Sequence, residues 1–119
     1  MHEIRAEIDI NAPKDEVWDI WVGFEKWGEW NPVVNKANGK RAVGECVNIT
    51  LANPDGSDGP SNSPIIADYV RPDLFRWNVV VGSAESFSND KILQLTATDS
   101  GTHLIHTETF NGELSLIHI

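Results

Sequence analysis

The sequence predicts an α+β domain built on an antiparallel sheet, and three observations carry that expectation. Residues 4–10 alternate strictly, with Ile4, Ala6, Ile8 and Ile10 on one side and Arg5, Glu7 and Asp9 on the other. Period two is the signature of a half-buried strand. Two short helical segments follow at once. From Val33 onward the chain is a run of alternating segments punctuated by Gly, Pro, Asn and Asp. Helices segregated from hairpin-linked strands give α+β architecture with an antiparallel sheet.

Each element has a local reason. Asn11-Ala12-Pro13 ends the first strand; Asn11 is placed to cap a helix, and Pro13 suits a first helical turn. Val17, Trp18, Ile20 and Trp21 then recur at helical spacing opposite Lys14, Asp15, Glu16 and Asp19. Trp18 and Trp21 are expected to anchor this helix to the sheet. Gly23 is a helix stop, residues 24–30 form a second short helix, and Asn31-Pro32 ends it because a residue before proline avoids helical dihedrals. Strands are expected at residues 33–36, 45–51, 64–70, 74–81, 91–98 and 102–110. The turn signals are Asn38-Gly39-Lys40, Arg71-Pro72-Asp73 and Asp99-Ser100-Gly101. Residues 53–64, rich in Asn, Pro, Asp, Gly and Ser, read as one long polar loop.

Composition narrows the function. Nine basic against eighteen acidic side chains leave a formal charge of −9. That opposes nucleic acid, whose phosphates need Lys and Arg, and opposes anionic membrane surfaces. Neither is an expected partner. The lone Cys46 permits no internal disulfide and is expected as a small buried hydrophobe. Residues 1–5 carry no basic region followed by an apolar core, so the expectation is a cytoplasmic protein. No nucleotide-binding glycine pattern, calcium loop or nucleophile elbow is present, and no cofactor is implied.

Five segments in order carry a family resemblance. Residues 8–13, Ile-Asp-Ile-Asn-Ala-Pro, followed by Val17-Trp18, resemble the opening of START-like (SRPBCC) domains of the polyketide cyclase/dehydrase type. Residues 24–32, ending Trp30-Asn31-Pro32, resemble the close of their second helix. Val43-Gly44-Glu45, then Leu74-Phe75-Arg76-Trp77, then the stretch from Gly101-Thr102-His103-Leu104 to Gly112 resemble three of their strands. The resemblance implies a helix-grip fold: a seven-stranded curved antiparallel sheet, two short helices after the first strand, and a long C-terminal helix closing a cavity. Here that helix is missing from the sequence, and residues 1–113 are expected to be an incomplete START-like domain. Residues 114–119, Leu-Ser-Leu-Ile-His-Ile, resemble a translated sequencing adapter and are expected to be a non-native tail.

The resemblance implies that the chain binds a small hydrophobic or aromatic molecule in that cavity. It leaves open a cyclase or dehydratase activity and a co-chaperone-like interaction module. Strand parity selects the lining. Leu104, His106, Glu108 and Phe110 share a face, taken as inward because two of them are apolar. His106 and Glu108 are then wall neighbours and candidates for an acid–base pair. His103 and His106 lie on opposite faces, so no metal site is expected. Phe75 and Trp77 share a face, and Leu93 and Leu95 another; all four are expected to line the cavity. Trp27, Trp30 and Asn31 stand at the mouth that the resemblance places near the second helix. Without its helix the inner face is expected to drive self-association.

Overall fold

In the computed structural model the described residues are 2–80 and 88–111. Their order is β1 (His2–Ile10), α1 (Lys14–Trp21), a 3₁₀ turn (Phe24–Lys26) running into α2 (Trp27–Trp30), β2 (Val34–Gly39), β3 (Val47–Ala52), β4 (Asp58–Asn62), β5 (Ile65–Val70), β6 (Leu74–Val80), β7 (Ser88–Thr98) and β8 (Gly101–Asn111). The strands form a five-stranded antiparallel sheet, β1-β8-β7-β6-β5, and a three-stranded one, β2-β3-β4. The alternating first strand pairs with the last along its whole length, from His2 opposite Phe110 to Ile10 opposite Thr102.

The expected seven-stranded sheet is corrected to eight strands in two sheets. The added strand is β4, inside the segment read as a long loop. The turn there needs only residues 53–57: the Asn53 N–H donates to the Ser57 carbonyl at 2.8 Å, and the Ser57 N–H to Asp55 Oδ1 at 3.0 Å. Gly56, at φ +88°, takes the left-handed position. Polar β4 then lies on an edge, where Pro60 withdraws no ladder bond that a central strand needs. The two sheets touch where Cys46 bridges Ile65. The Val47 N–H donates to the Pro64 carbonyl, and the Ile66 N–H to that of Glu45, both at 2.9 Å. The pair of sheets therefore behaves as one curved surface, bent where β4 gives way to β5.

Smaller expectations also shift. The strand expected at 33–36 is β2, which runs on through Asn38-Gly39 because Asn38 pairs with Asn48 across the ladder. Asn11 does not cap α1; extended Pro13 occupies that position, and no side chain caps the helix. The second helix is a 3₁₀ turn plus a single α turn. Cys46 is exposed rather than buried, since it sits at the junction between sheets. Val81, Gly112 and residues 114–119 lie outside the described residues.

The core is aromatic and lies between the helices and the sheet. Trp18, Phe24, Phe75, Ile66, Leu93 and Val47 are fully buried. Trp18 meets Tyr69 at 5.3 Å and Phe75 at 6.3 Å between ring centroids, which seats α1 on the sheet. Two glycines permit close approach. A Cβ on Gly28 would stand 2.2 Å from the Asn35 carbonyl oxygen, and one on Gly101 would stand 2.1 Å from that of Ile10. The first contact lets α2 lie on β2, and the second lets β8 enter beside the end of β1.

Candidate functional site

A cleft of about 370 Å³ opens between the two sheets beside α2. Its walls are Trp27 and Asn31 from α2 and its end, Val34, Ile49 and Leu51 from β2 and β3, and Trp77, Val79, Asn89, Lys91 and Glu108 from β6, β7 and β8. Sheet register explains the polar side. Trp77 stands opposite Lys91, and Lys91 opposite Glu108, so one row crosses three strands on the helix-facing side. The next row is Phe75, Leu93 and His106, and the one beyond it holds Leu95 and Leu104.

Two tryptophans make the apolar wall. Their ring centroids are 5.6 Å apart, tilted by 55°. Trp27 is held by its indole N–H, which donates to the Trp21 carbonyl at 2.9 Å. Trp77 rests on Phe75 at 5.6 Å. The Lys91 ammonium lies 5.0 Å over the Trp77 ring, a cation–π distance, and 3.6 Å from Glu108 Oε1. Burial pushes the Lys91 ammonium below the usual lysine range, against the opposing pull of Glu108.

His106 lies behind this row. Its ring packs edge-on to Trp21 at 5.3 Å, and its Nε2 is 4.0 Å from Glu108 Oε1. That nitrogen is sealed from solvent and has no hydrogen-bond partner. Burial first, and then the Lys91 charge, lower the imidazole pKa below its ordinary value, so the ring is neutral near neutral pH.

The sequence-derived residues separate into four places. Trp27, Asn31, Trp77 and Glu108 meet at the cleft. Phe75, Leu93 and Leu95 are buried beneath it as core, with His106 half-buried beside them. Leu104 and Trp30 instead line a second, apolar groove of about 270 Å³ with Ile10, Val17, Ile20 and Trp21. Phe110 is half-buried on β8, opposite His2 and Asn89. The expected lining omitted Lys91. Its signal was its parity with Leu93 and Leu95, which places a lysine on an inward, apolar face.

Comparison with known proteins agrees with this architecture. A protein from Nitrosomonas europaea superposes with a TM-score of 0.80 at 16% identity, covering 98% of this chain and 80% of that one. The di-domain ARO/CYC StfQ from the steffimycin biosynthetic pathway gives 0.76 at 16% identity, covering 95% of this chain and 37% of that one. Ara h 8.0201 gives 0.74 at 16% identity, covering 94% and 78%. At these identities the likeness is one of fold, and it fits the helix-grip arrangement. None of the curated proteins matches the sequence. Among the described residues no helix is long and apolar enough to cross a membrane. The family model for polyketide cyclase / dehydrase and lipid transport proteins matches residues 1–116, and the chain belongs to that family.

Proposed function

We propose that this protein binds a small hydrophobic or aromatic molecule in the cleft between its two sheets. The observation that carries the reading is the Trp27–Trp77 wall on a cleft large enough for a few fused rings. Pockets for such ligands are mostly apolar, with a small number of polar groups that set orientation. The family description, which names both polyketide cyclisation and lipid transport, supports an apolar ligand.

Tryptophan emission provides the test. Titration with the uncharged N-phenyl-1-naphthylamine should quench it saturably, and Trp77→Leu should weaken binding about tenfold or more, since a large buried ring contributes roughly 1.5–3 kcal/mol. A wild-type titration that never saturates would exclude the reading. Catalysis by His106 and Glu108 is a second reading, favoured by their 4.0 Å approach. It asks more of the site, because Nε2 must first be exposed. Turnover of a polyketide-like substrate that is lost in His106→Ala and kept in His103→Ala would favour it.

A further inference from the structure

Lys91 and Glu108 are the two charged side chains among the residues lining a cleft otherwise walled by Trp, Val, Ile, Leu and Asn. They stand opposite each other on β7 and β8, and their side chains are 21% and 24% exposed. Their 3.6 Å separation makes an ion pair longer than a direct hydrogen bond. The ammonium therefore keeps donor protons, and the carboxylate keeps lone pairs, for a third party between them or above them. A partly buried pair of this kind is costly unless its remaining hydrogen-bonding capacity is met. His106 Nε2, 4.0 Å from the same carboxylate oxygen and without a partner, adds a second unmet polar atom beside it.

We infer that the Lys91–Glu108 pair reads a hydroxyl group on an aromatic ligand, whose O–H donates to Glu108 while its oxygen accepts from Lys91. The inference rests on the binding reading above and names the chemical class bound at that cleft. Several alternatives fit less well. A plain hydrocarbon would cover both charges and satisfy neither. A carboxylate would gain Lys91 but face Glu108 within a few ångströms in a chain whose formal charge is −9. An ammonium would face Lys91 in the same way. A neutral hydroxyl is both donor and acceptor, so it meets both groups without adding charge. An aromatic hydroxyl is the stronger donor to a carboxylate, and its ring occupies the space against Trp77 and Trp27.

Three ligands of nearly equal size separate the outcomes: 2-naphthol, 2-methylnaphthalene and 2-naphthoate, each titrated by tryptophan quenching. The full chain should bind 2-naphthol about tenfold or more tighter than 2-methylnaphthalene, the scale of hydrogen bonds to charged groups, and 2-naphthoate most weakly. In Lys91→Met/Glu108→Leu, which removes both charges together, the ratio of naphthol to methylnaphthalene affinity should fall to about one. The wild-type series stands alone if the double variant fails to fold. Equal binding of all three by the wild type, or tightest binding of 2-naphthoate, overturns the hydroxyl inference and leaves the binding reading intact. Binding of none overturns both.

Discussion

Thr102 shows how one polar side chain can set a junction. It is fully buried, and its hydroxyl donates to the Ala12 carbonyl at 2.7 Å, tying the start of β8 to the segment between β1 and α1. Thr102→Val keeps the shape and strands that carbonyl, so a loss of about 1–3 kcal/mol is expected in denaturant unfolding. Thr102→Ser, which keeps the hydroxyl, should recover most of it. Phe75 is the matching apolar case: it is fully buried against Trp18, Phe24, Tyr69 and Trp77. Phe75→Ala should cost about 3–5 kcal/mol in the same measurement. At this scale parity was informative. Trp77 and Glu108 could be placed on the inner face from alternation, and Lys91 could have been. The depth of Phe75 and the sealing of His106 Nε2 could not, because both depend on which rings α1 and the 3₁₀ turn bring from elsewhere in the chain.

The β1–β8 pair has a charged outer face that responds to pH. His103 Nδ1 lies 2.8 Å from Asp9 Oδ1, and its Nε2 lies 2.9 Å from Glu7 Oε1. The hydrogen bonds to Asp9 and then Glu7 raise the imidazole pKa above 6.5. The bond from His103, with help from Arg5, lowers that of Glu7 below 4.5. The stabilisation from His103 is full below its unfolded value near 6.5 and fades as pH rises through the raised folded value. That from Glu7 is full above 4.5 and fades as pH falls through its lowered value. Thermal melts should therefore show a contribution of this cluster that is largest between about pH 4.5 and 6.5. In His103→Gln the decline in Tm above that window should flatten. An unchanged pH profile in the variant would show that the cluster contributes nothing. The strands themselves were legible because β1 alternates cleanly. β4 was not: it has almost no apolar residue, and only pairing with β3 through contacts such as Thr50 opposite Ser61 makes it a strand.

Among the described residues, an apolar area spanning β1 and the second groove is exposed. Ile4 and Ile8 on β1 are 49% and 57% exposed, and Ile20 and Trp30 beside the second groove are 64% and 47% exposed. Ile8 stands opposite Leu104, so β1 and that groove form one surface. Such a surface favours association in water. The 119-residue chain is expected to self-associate with rising concentration in sedimentation velocity, and Ile4→Glu/Ile8→Glu should shift it toward monomer. A wild-type chain that stays monomeric up to about 100 μM, a concentration at which transient dimers normally register, would remove this expectation. Formal charge opposes association, so added salt should strengthen it.

The sequence by itself determined the class and the order of strand and helices. These rest on local periodicity and turn chemistry, which a single strand or helix already contains. It also grouped His106 with Glu108 on one face of the last strand, since parity is a property of each strand alone. Only the tertiary structure decided that the strands fall into two sheets joined through Cys46 and Ile65, and that the polar stretch after Ser57 becomes an edge strand. The same holds for the site. Register between β6, β7 and β8 put Trp77, Lys91 and Glu108 in one row. Register is a relation between strands distant in sequence, set by the whole core, and no one segment carries it.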